Sequence, residues 1–386
     1  MKHLILLIDA LGYSGITKQK MPNLFNMFQD GYFRSTKTLL GYSNTIIPSI
    51  FSGAYPSEHN IWGVYKMSPE TSPFKVSPLI PKSVVDRSFI ARYIVNRGVF
   101  RNAKKRGLLP GHFDLLNIPL ELITYFDLSM KKHIIEPNSM NGTVTLFDLM
   151  REKKIPFEYL GYPWNHGTQQ ILELAEKQIH DTSVVFAYID EIDHLGHQYG
   201  INSKDFLERL KLFDELLSRF LQRIMKIGEE ISITIFSDHG MHDVIGTVDV
   251  KSRVDSTGLK IKNDYIPFLD STIARFWVFN NDAKERLINV LEHIQGGRLL
   301  SSDEIIKFKI NFKSNHYGDL LYLADIGKII SPSFFTVLGR PIMGMHGWDP
   351  EHESQNGFIF TNQKPKVTEM EDVSRIFYLL RDIIKI

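Results

Sequence analysis

Two short apolar runs along this chain stop abruptly at acids. One is Lys2 to Asp9, KHLILLID, and the other is Ser232 to His242, SITIFSDHGMH. Unbroken apolar and β-branched stretches of this length suit strands buried on both faces of a parallel sheet. In open α/β sheets the carboxyl ends of the strands face the ligand crevice, so Asp9, Asp238 and His239 are expected to project side by side into a site. An Asp-His pair alone carries little weight, because a loop hydrogen bond accounts for it equally well.

Strand and helix signals alternate over most of the chain. Met21 to Phe28 carries Pro22 at its start and apolar Leu24, Phe25 and Phe28, the pattern of a short amphipathic helix, and Tyr32 to Leu39 reads as a strand. Thr45 to Phe51 reads as a helix with Ser43 or Asn44 at its start, where free N–H groups and the helix dipole favour an anion. Further on come a helix over Thr143 to Lys153, a strand over Pro156 to Gly161, a helix over Gln169 to His180 and a strand over Ser183 to Asp190. Asn202 or Ser203 caps a long helix to Lys226, whose stripe of Phe206, Leu210, Phe213, Leu217, Phe220 and Ile224 is core rather than a cofactor site. Additional elements are read at Ala274 to Phe279 and Asp282 to His293, and Thr368 with Glu371 forms a capping box for a last helix over Glu369 to Ile384.

Residues 66–142 break this rhythm. The segment starts rich in proline and continues basic and aromatic, with Arg87, Arg92, Arg97, Arg101 and Arg106 interleaved with Phe89, Tyr93 and Phe100. It is read as an inserted cap, with 1–65 and 143–386 forming the metal-binding catalytic α/β domain. A solvated helical face accounts for such charges more often than a binding patch does. Over a substrate, the same arginines would meet an anion.

Charge and cysteine content narrow the chemistry. Lys plus Arg number 45 against 44 Asp plus Glu, so a net charge of +1 makes no global case for a nucleic-acid polymer or an anionic membrane. Cysteine is absent, which leaves His, Asp and Glu to build any metal site. The N-terminal apolar run reads as a first strand rather than a signal peptide, and no uncharged apolar run reaches the roughly 18 residues of a membrane span. A cytoplasmic protein is the resulting expectation.

Acids and histidines follow strands in four places: Asp9, Asp193 with His197, Asp238 with His239, and His346 between Gly344 and Gly347. Asp193 and His197 are spaced to share one face of a helical turn. Three carboxylates with three imidazoles suit two divalent ions, zinc first and manganese second, and a pair of ions can hold the attacking and leaving oxygens of a phosphoryl displacement. A serine hydroxyl needs a base or metal to become a nucleophile, a need that Ser43 beside such a site would meet. Thr45 is its rival.

Taken in order, these motifs resemble the alkaline phosphatase superfamily, and within it the nucleotide pyrophosphatase/phosphodiesterase branch. The matching residues are Ser43 with Ser52, Gly53 and Glu58-His59; Asp193-x-x-x-His197 with Tyr199-Gly200; Asp238-His239-Gly240-Met241; and Gly344-x-His346-Gly347. The resemblance implies a three-layer α/β/α sandwich around a mainly parallel sheet, with an inserted cap. It implies that Asp9, Asp238 and His239 bind one zinc together with Ser43, and that Asp193, His197 and His346 bind the other. Ser43 would be phosphorylated and then released by water. The branch commonly has threonine where this chain has Ser43, and an asparagine about twenty-one residues on where this chain has Val64. Asn60, Tyr65, Lys66 or the Asn44 backbone N–H are the substitutes for contacting a phosphate oxygen. The sulfatase branch fits less well, since Ser43 is followed by Thr45 and Ile47 in place of that branch's proline and arginine.

The expected activity is hydrolysis of a small phosphorylated substrate, a phosphodiester or nucleotide-type compound. A phosphomonoesterase, a phosphotransferase or mutase of the same superfamily, and a non-catalytic metal-stabilised binding module are the alternatives.

Overall fold

The computed structural model describes residues 1–74, 97–98, 101, 118–162, 166–227, 230–335 and 341–386. Of the basic and aromatic run from Arg87 to Arg106, only Arg97, Gly98 and Arg101 fall among them. The chain divides into two compact units, one made of Met1–Tyr55, Ile134–Val244 and Ile342–Ile386, the other of Pro56–His133 and Ile245–Pro341.

The first unit is built on a sheet in the order Tyr32–Thr36, Gly357–Thr361, Ile231–Phe236, Lys2–Ile8, Val184–Ile189, Phe157–Leu160. Lys2–Ile8 pairs in parallel with both Ile231–Phe236 and Val184–Ile189, and Phe157–Leu160 extends the parallel run. Gly357–Thr361 runs antiparallel to its neighbours on either side. All the Lys2–Ile8 residues after Lys2 are buried, as are all those of Ile231–Phe236, which is why both read as unbroken apolar runs.

Alternation along these strands sorts side chains between two helical layers. Leu4, Leu6, Ile8, Val185, Ala187, Ile233 and Ile235 face one cluster, packed by the helices Pro22–Phe28, Thr168–Gln178 and Lys204–Met225. Phe186 and Phe236 face the other way, where Phe51 of the helix Ser43–Ser52 meets them at ring-centroid distances of 6.0 and 6.4 Å. Phe147 of the helix Leu146–Glu152 closes this second cluster against Phe51 at 4.9 Å. The result is a three-layer α/β/α sandwich, and it brings the start of Ser43–Ser52 to the carboxyl ends of the strands. Packing rather than propensity holds this helix, which tolerates Pro48 in its interior.

Capping comes partly from a distance. Pro22–Phe28 gets no side-chain bond from its own N-cap Met21; instead Asp214, buried on Lys204–Met225, accepts from the Asn23 and Leu24 N–H groups at 3.0 and 2.9 Å. The final helix is shorter than the Thr368–Glu371 pattern predicts. It spans Ile376–Ile384 after a 3₁₀ turn at Val373–Arg375, and Asp372 is the residue that caps the turn, accepting from Ser374 N–H at 2.8 Å. Thr368 is used otherwise, its carbonyl accepting from the Tyr32 hydroxyl at 2.8 Å.

The second unit holds an antiparallel sheet in the order Tyr265–Leu269, Ile273–Val278, Leu320–Ala324, Gly297–Leu299. The described part of the 66–142 segment up to His133 groups with Ile245–Pro341, because the hairpin Tyr65–Met67 and Phe126–Leu128 packs on this sheet. Phe126 meets Phe268 at 5.0 Å and Trp277 at 5.5 Å, while Arg275, buried among these aromatics, donates to the Tyr65 carbonyl at 2.8 Å. Among the described residues, no helix is long and apolar enough to cross a membrane.

Candidate active site

Each acid and histidine singled out for metal binding lies in the first unit, and local structure explains its placement. Asp9 follows the last residue of Lys2–Ile8, and its N–H donates to the Ile189 carbonyl at 2.9 Å, continuing the ladder to the neighbouring strand. Asp238 and His239 come two and three residues after Ile231–Phe236 ends. Asp193 and His197 stand one turn apart on the helix Glu191–Tyr199, as their spacing predicts, with His197 Nε2 3.2 Å from Asp193 Oδ1. His346 follows the short strand Gly344–Met345, and a Cβ on Gly344 would lie 2.5 Å from the Gly196 carbonyl, so only glycine lets this strand approach the helix so closely.

The side chains gather into two overlapping groups. Asp9, Asp238 and His239 form one, Asp193, His239 and His346 the other, with the candidate ligating atoms of each group within 4.8 Å of one another. His239 Nε2 is 3.3 Å from both Asp9 Oδ1 and Asp238 Oδ2. His346 stacks on His239 with ring centroids 3.8 Å apart and planes at 13°, and its Nε2 is 3.6 Å from Asp193 Oδ1. His197 joins the second group through Asp193, and its ring centroid is 5.3 Å from that of His346.

Ring orientation is set from behind. His239 Nδ1 donates to the Gly240 carbonyl at 2.9 Å and His197 Nδ1 donates to the Gly344 carbonyl at 2.8 Å, since a carbonyl can only accept. Both Nε2 atoms therefore face the carboxylates, the arrangement that metal-binding imidazoles need. The Asp238 carboxylate is held in turn, Oδ1 accepting from its neighbours' backbone N–H groups, at 3.1 Å from His239 and 3.4 Å from Ala10.

Electrostatics shows a site short of positive charge. Burial, and then the nearby Asp9 charge, raise the Asp238 carboxyl above the usual carboxylate range. Burial opposes charge on His239 too, yet Asp238 and Asp9 outweigh it and hold the imidazolium well above its ordinary value. At Asp193 burial pushes upward, and the facing His197 wins and holds the carboxyl below its normal range. His346 is pushed far down by burial and by His239 beside it. Asp193 Oδ1 and Asp238 Oδ2 are buried and meet the imidazole Nε2 atoms facing them at 3.2 and 3.3 Å without hydrogen-bond geometry, and His346 Nδ1 is buried without a hydrogen-bond partner. Three carboxylates, imidazoles turned to face them and buried oxygens left without a well-aligned donor fit divalent cations held by oxygen and nitrogen.

Ser43 is the first residue of Ser43–Ser52 and its hydroxyl reaches the first group. Oγ donates to Asp9 Oδ1 at 3.3 Å and lies 3.0 Å from His239 Nε2. Thr45, the rival nucleophile, is fully buried within the same helix. Asn44 is partly buried beside Ser43, with its Oδ1 enclosed and unbonded. Asn60 and Lys66 belong to the second unit. There Asn60 Nδ2 is 3.4 Å from His316 Nδ1, and Lys66 stands opposite Asp127 in the hairpin. His242 and His352 pair edge-to-face at 5.9 Å, and His194 is exposed, bonding back to the Asp190 carbonyl.

Two contacts at the site were not singled out from the sequence. Tyr188, on Val184–Ile189, donates its hydroxyl to Asp9 Oδ2, and burial followed by the Asp9 charge keeps that phenol protonated well above its ordinary range. Tyr42, the N-cap of Ser43–Ser52, sets its ring edge-on to His346 at 5.6 Å. Tyr188 shares a sheet face with Phe186 and pairs with Leu7 one residue before its strand ends.

Venom phosphodiesterase 2 of Crotalus adamanteus is 20% identical over 404 aligned residues, covering 97% of this chain. Venom phosphodiesterase CdcPDE of Crotalus durissus collilineatus is likewise 20% identical over 97% of this chain. The chain spans 44% and 43% of the length of these relatives. Human ectonucleotide pyrophosphatase / phosphodiesterase 5 superposes over 100% of this chain and 95% of its own with a TM-score of 0.68 at 13% identity, which shows a shared fold. The murine protein of that name, in an inactive form in complex with AMP, gives a TM-score of 0.67 at 12% identity over 100% of this chain and 95% of its own. The model of the family described as type I phosphodiesterase / nucleotide pyrophosphatase matches residues 3–349, nearly the whole chain, and the chain belongs to that family.

Proposed function

We propose that the chain hydrolyses phosphodiester or phosphoanhydride bonds of small nucleotide-type substrates in two displacements on Ser43. The observation that carries this reading is the position of Ser43 Oγ, 3.0 Å from His239 Nε2 and 3.3 Å from Asp9 Oδ1 at the start of a helix. Asp9, Asp238 and His239 with Ser43 would hold one divalent ion, and Asp193, His197 and His346 the other. Zinc is the ion this donor set favours, with manganese second. When bound, such ions supply Lewis acidity, which lowers the hydroxyl pKa and offsets charge on the phosphoryl oxygens.

In the first displacement the Ser43 oxygen forms a bond to phosphorus and the bond to the leaving oxygen breaks, the seryl proton passing out with the alcohol or phosphate released. Water then adds to the same phosphorus, the Ser43–phosphorus bond breaks, and the hydroxyl is restored. The opening turn of Ser43–Ser52 would offer the Ser43 and Asn44 backbone N–H groups to a phosphoryl oxygen. The AMP bound by the murine structural neighbour supports a nucleotide as substrate. Comparing a chromogenic phosphodiester with a phosphomonoester, with zinc or manganese supplied, tests the reading: faster cleavage of the diester supports it. Transfer of the phosphoryl group to an alcohol, with little free product phosphate, would favour a phosphotransferase instead.

A further inference from the structure

The two oxygens of the Asp9 carboxylate have separate partners. Oδ1 accepts from Ser43 Oγ and stands 3.3 Å from His239 Nε2, whereas Oδ2 accepts from the Tyr188 hydroxyl. An aspartate carboxylate turns easily about its last torsion, so a fixed division of labour needs something to hold one oxygen. Parallel register supplies it: Leu7 of Lys2–Ile8 pairs with Tyr188, so the tyrosine stands on the adjacent strand two residues behind Asp9. A phenol has one proton to donate, and here Asp9 takes it.

We propose that Tyr188 is a positioning residue that pins Asp9 Oδ2 and so presents Asp9 to a bound cation through Oδ1 alone. It touches neither Ser43 nor the imidazoles by hydrogen bond; it acts through Asp9. The inference rests on the reading of Asp9, Asp238 and His239 as metal ligands. Outer partners of metal-binding carboxylates typically change affinity by about 10- to 100-fold when removed. A residue that only fills space would leave that affinity alone.

The test is zinc binding by the 386-residue chain, measured by competition with a chromogenic chelator, for wild type, Tyr188→Phe, Asp9→Ala and the double variant. Tyr188→Phe is expected to weaken zinc binding at least about 10-fold while the metal-free protein melts close to wild type. In the Asp9→Ala background the same change should do nothing further to zinc affinity. Unchanged affinity in Tyr188→Phe, or an additional loss in the double variant, overturns the proposal. Should Tyr188→Phe melt early, its zinc affinity is compared with wild type at a temperature where both are folded, with the same two outcomes. Failure of wild type itself to bind zinc or manganese would instead defeat the underlying metal reading, a result separate from equal binding by wild type and Tyr188→Phe.

Discussion

His239 Nε2 lies 3.0 Å from Ser43 Oγ while its other ring nitrogen donates to the Gly240 carbonyl, so the imidazole cannot turn away from the serine without losing a buried bond. That pairing sets the hydroxyl beside the nitrogen proposed to hold a cation. Ser43→Ala should therefore reduce turnover by at least about 10³-fold, the scale of losing a nucleophile, while zinc still binds. Ser43→Thr should keep activity within about tenfold of wild type, because the hydroxyl stays at the same helix position. Steady-state kinetics on a chromogenic phosphodiester reads both; undiminished turnover in Ser43→Ala would remove the nucleophile assignment.

Gly344 ties the second group together. Its carbonyl accepts from His197 Nδ1, and a Cβ at this position would sit 2.5 Å from the Gly196 carbonyl and 3.0 Å from Met241 Sδ. Gly344→Ala should lower stability by about 1–3 kcal/mol through overpacking and weaken zinc binding by turning His197. Denaturant melts and zinc titration of the same preparation check the two effects.

Asp214 should be worth more than its place in the middle of a helix suggests. It accepts from Asn23 N–H, Asn23 Nδ2 and Leu24 N–H, at 3.0, 2.8 and 2.9 Å. Asp214→Ala leaves donors at the start of Pro22–Phe28 without a partner, a loss of about 2–4 kcal/mol measurable by urea unfolding. Asp214→Asn, which keeps one acceptor oxygen, should cost less.

Acid stability should report on His59. The ring is buried, its Nδ1 accepts from Ile61 N–H at 3.1 Å, and burial depresses its pKa from 6.5 to about 3. Between those values the unfolded chain binds a proton that the folded chain refuses, so this contribution is complete above pH 6.5 and is lost as pH falls toward 3. His3, lowered to about 4 by burial and then by the N-terminal charge, acts in the same direction. His59→Asn keeps an acceptor for Ile61 and should remove about one proton from the acid-side slope, up to about 1.4 kcal/mol per pH unit. Unfolding free energies at pH 4 to 7 read the difference; an unchanged slope would mean that the histidine takes up its proton in place.

The parts of the site that local rules govern were legible in the sequence. Asp9, Asp238 and His239 end buried strands, and Asp193 and His197 share a helical turn, so strand-end position and helical spacing were enough to propose them. Tyr188 was not singled out, because its importance comes from register with a strand about 180 residues away, which no local pattern carries. The end of the chain misled for a related reason: Thr368 and Glu371 match a capping box, but the Thr368 carbonyl is engaged by Tyr32 and the capping falls to Asp372. Likewise Tyr65–Met67 joins a separate unit through aromatic contacts with residues far along the chain, Phe268 among them at 5.6 Å from Tyr65.

The central claim is a double displacement on Ser43, and the stereochemical course at phosphorus tests it most directly. Hydrolysis of a phosphodiester analogue made chiral at phosphorus with sulfur, run in isotopically labelled water, reports the number of in-line displacements. Two displacements, one by Ser43 and one by water, predict retention of configuration. Inversion would show that water attacks the substrate directly and would contradict the account.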